Sequence, residues 1–162
     1  MNLSDLAVQL GAVDAKIIPT YQVVVSDAVR WKCRFGCKNY GKSLMCPPHT
    51  PTPEEMKRLL KEYKKAVLFR FKPDSKSLVV ELEKQVFLLG YPNALAFSAG
   101  PCKLCEDCDI EAGYCIKPDE ARPSMEGCGI DVFETAKNAG YDMKVLTSRD
   151  QEYLWYGLLL TK

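Results

Sequence analysis

The chain has 162 residues, a net charge of +1 and an apolar fraction of 47%. This length suits one domain, and the apolar content is sufficient for a hydrophobic core. A general nucleic-acid or membrane-surface binder would be far more basic, and the longest apolar run is too short to span a bilayer. The N-terminus has no basic segment before its apolar residues, so a signal peptide is not expected. We therefore expect a single soluble, cytoplasmic domain over residues 1–162.

The sequence predicts alternating strands and helices. β-Branched runs predict strands, and apolar residues at helical spacing predict helices. In chain order, we expect a strand at Tyr21–Val25, a loop at Val29–His49, a helix opened by Thr52, a strand at Ala66–Phe71, a helix opened by Ser75, a strand at Ala94–Ala99, a loop, a helix at about Gly129–Asn138, and strands at Met143–Thr147 and Tyr153–Leu160. This order predicts an α/β or α+β fold, with a mixed, partly parallel sheet flanked by three or four helices.

Eight cysteines accompany a single histidine, and they form two groups along the chain. The first group has three members and the second has five: Cys33, Cys37 and Cys46, then Cys102, Cys105, Cys108, Cys115 and Cys128. A chain of this length without an export signal is not typical of a disulfide scaffold. Both groups fall in predicted strand-to-helix loops, which parallel strands would bring to the same edge of the sheet. We therefore expect the two groups to be neighbours in space.

The second group begins with Cys102-Lys-Leu-Cys105-Glu-Asp-Cys108, which has two intervening residues at each step. Bacterial-type ferredoxins use this run to hold three irons of a 4Fe–4S cluster. Zinc sites more often use pairs separated by a longer loop, so the tight triple favours iron–sulfur over zinc. In the ferredoxin run the fourth cysteine follows three residues later. Here the candidates for the fourth ligand are Cys115 and Cys128.

The first group, Cys33-x₃-Cys37-x₈-Cys46, needs a fourth partner to complete a metal site. His49 would make a Cys₃His zinc site, whereas Cys115 or Cys128 would make a Cys₄ site. Eight thiolates would serve two 4Fe–4S clusters if one cysteine crosses from the second group to the first. The sequence leaves open which of the two late cysteines serves which site.

The segment from Gly36 to Ser43 matches the phosphate-binding pattern G-x₄-G-K-S. That loop works only where a helix begins at the Lys-Ser pair and presents its amides to the phosphates. Pro47 and Pro48 would break such a helix. We therefore do not expect a nucleotide site here.

Charge is distributed unevenly along the chain. Residues 30–76 contain 13 basic and 4 acidic side chains, whereas residues 104–134 contain 2 basic and 9 acidic ones. The two segments would attract each other within the fold, and the basic one also suits an acidic protein partner or a small anion. The aromatic C-terminal strand gives a second kind of partner surface, through which a homodimer would form if it is exposed.

Three cysteine-containing motifs together resemble an uncharacterised prokaryotic family of predicted metal-binding proteins. They are Cys33-Arg-Phe-Gly-Cys37 through Cys46-Pro-Pro, Gly100-Pro-Cys102 through Cys108, and Arg122-Pro-Ser-Met-Glu followed by Cys128-Gly-Ile-Asp. The family is a domain of unknown function that is frequent in anaerobic bacteria and archaea. The resemblance implies metal binding through all eight cysteines, and it implies no reaction or substrate.

The leading hypothesis is an iron–sulfur protein with one or two 4Fe–4S clusters that transfers electrons between protein partners. The first alternative is a structural or interaction module stapled by zinc or by a cluster. The second is an enzyme or cluster carrier that keeps an open iron site. The cysteines are the one visible set of residues with catalytic chemistry, and we expect neither nucleic acid nor membrane as a partner.

Overall fold

Four strands form one sheet in the computed structural model, which describes residues 2–162. They are β1 (Asp14–Pro19), β2 (Lys65–Phe71), β3 (Leu95–Phe97) and β4 (Trp155–Thr161). Within the described residues there are also five α-helices: α1 (Leu3–Gln9), α2 (Asp27–Gly36), α3 (Pro53–Leu60), α4 (Leu78–Leu88) and α5 (Val132–Asn138). The strand order is β1-β2-β4-β3 and every neighbouring pair is antiparallel, so the fold is α+β.

Each face of the sheet buries its own hydrophobic core, because successive side chains of a strand point to opposite faces. On one face, the central strands pack against α3 and α5 through Ala66, Leu68, Leu158 and Leu160. On the other face, they pack against α1 and α4 through Val67, Phe69, Phe71 and Leu159. Helix α2 has no fully buried residue and instead contacts the short 3₁₀ turn Glu126–Cys128. Cys128 belongs to the core on the first of these faces, whereas the other seven cysteines lie outside both cores.

Helix α3 begins where the sequence predicts it. The Thr52 side chain accepts a hydrogen bond from the backbone N–H of Glu55 at 3.1 Å, and the Glu55 carboxylate accepts one from the N–H of Thr52 at 2.9 Å. This capping box satisfies two amides that have no partner inside the helix, and Pro53 occupies the first helical position. The helix is fixed at its start, directly after the first cysteine loop.

The prediction of a partly parallel sheet is wrong, since all four strands are antiparallel. Tyr21–Val25 is not a strand: it contains the end of a 3₁₀ turn and an isolated bridge between Val25 and Ile130. Met143–Thr147 also lacks strand structure. The first strand is β1, which the sequence does not predict because it contains Asp14 and Pro19, two residue types that are rare in strands. Both residues are tolerated because β1 lies at the sheet edge.

The first cysteine loop is not a strand-to-helix connection, because it runs from α2 to α3 and Cys33 lies within α2. The second runs from β3 to α5, as the sequence predicts. The structure has five α-helices where the sequence predicts three or four, because the sequence does not predict α1 and α2. Residues 37–52 form turns and bends, so no helix begins at Lys42 and Ser43, as a phosphate-binding loop would require. Over residues 2–162, no helix is long and apolar enough to cross a membrane.

Candidate metal centre

Four cysteines of the second group surround one small cavity of about 20 Å³. They are Cys102, Cys105, Cys108 and Cys115. Two backbone amides donate hydrogen bonds to their sulfurs, from Leu44 to Cys108 Sγ and from Lys117 to Cys115 Sγ, both at 3.4 Å. Amide donors of this kind stabilise the negative charge of metal-bound thiolates and tune the metal. Four thiols at one cavity, with amide donors beside two of them, are the type of donor set that binds a thiolate-held metal or cluster.

The three cysteines of the first group lie within electrostatic range of one another. Burial raises the pKa of the Cys33 thiol, and the nearby Cys37 and Cys46 raise it further. Burial also raises the pKa of Cys46, again with a contribution from Cys37. Cys37 itself is exposed to solvent. This group therefore reaches the molecular surface at the end of α2.

Cys128 belongs spatially with the first group, although it follows the second group in the sequence. Burial raises the pKa of its thiol to about 12, and Cys33 is among the charges that act on it. The guanidinium of Arg30 opposes this increase. Metal ligation requires a thiolate, so a metal at Cys128 would displace a proton that the buried thiol otherwise holds. The structure thus places Cys128 near Cys33, and it places Cys115 at the small cavity with the other three cysteines of the second group.

Side-chain and backbone hydrogen bonds hold the first group against the turn that contains Cys128. The Thr50 hydroxyl donates to the carbonyl of Gly127 at 2.5 Å, and the Cys33 thiol points to the carbonyl of Glu126 at 4.0 Å. Arg30 donates to the carbonyl of Pro51 at 2.7 Å, which ties α2 to the end of its own loop. These contacts explain why Cys128, 95 positions after Cys33 in the sequence, lies near it in space.

The two cysteine groups contact each other, as the sequence predicts, but for a different physical reason. The amide of Leu44, from the first loop, donates to Cys108 in the second. Cys102 also contributes to the raised pKa of Cys46. A shared carboxyl edge of parallel strands cannot explain this contact, because the sheet is antiparallel. Instead, the loop between α2 and α3 lies against the loop between β3 and α5.

Sequence reasoning missed Lys76, which lies just before α4. Its ammonium donates to the carbonyl of Pro101 at 2.8 Å. Burial lowers the pKa of Lys76, and the nearby Cys102 and Cys46 oppose that decrease. A cation beside two cysteines would balance the charge of metal-bound thiolates. No sequence signal could have found it, since Lys76 lies 26 positions before Cys102 and in no cysteine motif.

His49 is exposed, and its backbone N–H donates to the carbonyl of Cys46 at 3.0 Å. The structure therefore places the histidine in the turn that follows the first group. Between residues 2 and 162, no group of three or more His, Cys, Asp or Glu side chains is arranged to hold one metal ion directly.

A family model described as predicted metal-binding protein (DUF2284) matches residues 16–161. The chain therefore belongs to this family of predicted metal-binding proteins, whose function is unknown. The match confirms the resemblance that the cysteine motifs suggested. Searches of curated proteins and of solved structures found no match.

Proposed function

We propose that the protein is an iron–sulfur protein that carries one or two 4Fe–4S clusters and transfers electrons between protein partners. The observation that carries this proposal is that four cysteines line one cavity, three of them at the x₂ spacing of bacterial-type ferredoxins. When bound, such a cluster would supply one-electron redox chemistry. The chain's own residues would hold it, tune it and give a partner access to it.

The proposal assigns one complete cysteine set to each site. The second site takes the four cysteines that line the small cavity, and the first takes Cys33, Cys37, Cys46 and Cys128. The proximity of Cys128 to Cys33 supports this division, as does the presence of Cys115 at the cavity. Cys128 is thus the cysteine that crosses between the groups.

The arrangement of the two sets suits electron exchange with a partner. The sets meet at Cys46 and Cys102, which lie close enough for each charge to act on the other. Cys37 is exposed, so a partner at this surface would approach the first set directly. Electron transfer between the sets requires that they lie close together. Because Cys37 is exposed, electrons would enter at the first site.

Helix α2 presents a surface for that partner beside Cys37. Trp31 and Phe35 stack with ring centroids 5.2 Å apart, and 52% and 78% of their surfaces are exposed. Arg34 lies 5.7 Å from the centroid of the Trp31 ring. Exposed aromatic rings among basic side chains suit an acidic protein. We therefore expect the redox partner to be acidic where it docks.

Purification without oxygen tests the metal. We expect a brown protein with four iron and four sulfide per cluster, in line with the 4Fe–4S composition. Spin resonance after reduction should give a cluster signal. A colourless protein with stoichiometric zinc would contradict the proposal.

Single cysteine variants test the division of ligands. Cys115→Ser should remove the cluster of the second site, and Cys128→Ser should remove that of the first. Ile116→Ser is the matched control, because Ile116 is exposed and adjacent to Cys115. Loss of both clusters in each variant would contradict the assignment of complete, separate sets.

The stapled module is the first alternative, and the loop structure is the observation that favours it. Residues 99–125 form neither helix nor regular strand, and most of residues 103–120 are exposed or half-buried. Metal binding would supply the free energy that orders such a loop. Full zinc occupancy with an unchanged fold and no redox signal would favour this function.

An enzyme or cluster carrier with an open iron site is the second alternative. The exposure of Cys37 favours it, because an exposed ligand is the one most easily exchanged. If Cys37→Ser keeps a full cluster and passes it to an acceptor protein more readily, this function would replace electron transfer.

A further inference from the structure

A second, larger cavity of about 720 Å³ opens directly beside the second cysteine set. It lies between the start of α4, the loop after β3 and the start of β4. Cys102 and Leu104 line both this cavity and the small one among the cysteines. Binding sites for small organic molecules occupy about 300–1,000 Å³. The cavity is therefore large enough for a small organic ligand that would contact a cysteine of the metal site.

The walls of the cavity are mostly apolar and include the ring of Trp155. Val79 and Ala121 are buried residues of the lining. The Trp155 ring packs against Gly100, where an added Cβ would lie 3.0 Å from the ring, and it meets Phe71 edge-on with centroids 6.2 Å apart. The ring is thus held from two sides. Such a preformed aromatic wall suits a flat or aromatic ligand body.

Two polar groups in the lining have hydrogen-bonding capacity left for a ligand. The Ser98 hydroxyl is buried, with 2% of the residue exposed, and it has no hydrogen-bond partner in the described structure. A buried hydroxyl without a partner is unfavourable, so a ligand that pairs with it would be stabilised. The Lys76 ammonium donates to the Pro101 carbonyl at 2.8 Å, and an ammonium can donate three hydrogen bonds.

The other charged groups of the lining are engaged or lie at its exposed rim. Arg122 donates to both carboxylate oxygens of Glu83, at 2.9 and 2.5 Å, and to the carbonyl of Pro118 at 2.8 Å. Glu81 accepts from the Gln85 amide at 2.7 Å. Asp74, Glu120 and Lys103 are exposed. Lys76 is therefore the half-buried cation at the end of the cavity near Cys102.

We propose that this cavity binds a small organic carboxylate with a flat apolar or aromatic body, the carboxylate at Lys76 and the body against Trp155. The buried Ser98 hydroxyl, which has no partner in the described structure, is a further hydrogen-bonding group in the cavity wall. This inference goes beyond electron transfer, since it gives the protein a small-molecule ligand. It holds whether iron or zinc occupies the cysteines, because none of its contacts involves the metal.

Isothermal titration of the metal-loaded protein with 2-naphthoate tests the proposal, with 2-naphthamide as the neutral molecule of the same shape. We expect one saturable site for 2-naphthoate and at least tenfold weaker binding of the amide, because a charge-assisted hydrogen bond is lost. Lys76→Gln should weaken 2-naphthoate binding about tenfold or more. The matched control Lys103→Gln removes an exposed lysine from the same rim and should change the affinity less than threefold.

A second readout places the ligand at the aromatic wall. Trp31 and Trp155 are the two tryptophans of the chain, so a Trp31→Phe protein reports on Trp155 alone. Its fluorescence should fall on titration with 2-naphthoate. Val80→Trp would fill the cavity from a half-exposed wall and should abolish binding.

Three results would overturn the inference. The first is no saturable binding of 2-naphthoate to the folded, metal-loaded protein at millimolar concentration. The second is equal affinity for the naphthoate and the amide. The third is an equal effect of the Lys76 and Lys103 substitutions. If Lys76→Gln fails to fold or loses metal, the comparison of the two naphthyl molecules on the unmutated protein still decides the question.

Discussion

Gly157 leaves space in the core for the aromatic ring of Phe69 on the neighbouring strand. It faces Phe69 across the β2–β4 pair, and an added Cβ would lie 2.4 Å from the Phe69 ring. Phe69 is completely buried, so its ring has little space to move. A single hydrogen in place of a side chain therefore allows the aromatic ring to fill this part of the core.

Gly157→Ala should lower the free energy of unfolding by about 1–3 kcal/mol, because the added methyl group overpacks a full core. Gly36→Ala is the control, since no atom lies within 4 Å of its added Cβ. Urea denaturation of both metal-loaded variants measures the difference. Equal midpoints would show that the ring can move aside.

At the scale of elements, the sequence predicts α3, β2, α4, β3, α5 and β4 but not α1, α2 or β1. The predicted elements have strong signals, such as the capping box of α3 and the apolar run of β2. Helix α2 has no buried residue, so no apolar face marks it among the cysteines. The run Tyr21–Val25 is β-branched but lacks a neighbouring strand. Local preference predicts an element only where tertiary packing agrees with it.

Thr52→Ala should lower the free energy of unfolding by about 1 kcal/mol, because it leaves the Glu55 amide without its cap. Glu54→Gln is the neighbouring control. It removes only an exposed ion pair with Arg58 at 3.4 Å, which contributes little. Thermal denaturation of the two variants compares them, and an equal loss in both would contradict the role of the cap.

Asp14 joins β1 to β2 and to the segment after α5. The hydrogen bonds from Arg70 are the main reason that the pKa of its carboxyl is lowered from 3.8, and a hydrogen bond from the Tyr141 hydroxyl at 3.0 Å adds to this. A carboxyl whose pKa is lower in the folded state than in the unfolded chain stabilises the fold fully at pH values above its unfolded pKa. That stabilisation is lost as the pH falls through the lower folded value.

Asp14→Asn should therefore lower stability at pH 7 by about 1 kcal/mol, a size limited by the partial exposure of the pair. The difference from the unmutated protein should shrink as the pH falls below 3.8. Asp142→Asn, which removes an exposed pair with Lys144 at 3.6 Å, is the control. Urea midpoints between pH 7 and pH 2.5 measure both effects. A difference that stays constant with pH would contradict the linkage.

At the scale of the whole molecule, the sequence identifies the eight candidate ligands but not how they divide. Spacing predicts the Cys102–Cys108 run, whereas the pairing of Cys128 with Cys33 depends on contacts between segments far apart in the chain. The amides of Leu44 and Lys117 leave no trace in the sequence, because every residue except proline carries one. The sequence therefore shows which residues can bind a metal, whereas which site each one serves depends on the tertiary structure.

Removing the metal with a chelator should release the two cysteine loops and leave the sheet folded. The core on one face of the sheet contains Cys128, and neither core contains any of the other seven cysteines. Hydrogen exchange should therefore accelerate at residues 37–51 and 99–125, with little change in the central strands. Uniform acceleration across the molecule would show that metal and sheet fold as one unit.

The proposed docking of an acidic redox partner on α2 predicts that charge on this helix controls the rate of electron transfer. Arg34→Glu should slow electron transfer from an acidic ferredoxin about tenfold at low salt, because the attraction becomes repulsion. Arg149→Glu is the control, as an exposed charge reversal outside α2. Stopped-flow reduction at two salt concentrations tests this. Equal rates for both variants would exclude α2 as the docking surface.

A homodimer through the C-terminal aromatic strand stays a prediction. Strand β4 pairs with β2 along its length and with β3 at residues 158–160. Its backbone is therefore occupied on both sides there, and a second copy would have to use the exposed Tyr153 before the strand.

The position of β4 between β2 and β3 has a consequence for how the protein is made. Strand β3 joins the sheet only through β4, which follows both cysteine groups in the chain. All eight cysteines are therefore synthesised before the strand that closes the sheet. We expect the earlier thiols to encounter a metal or an oxidant before the fold around them is complete.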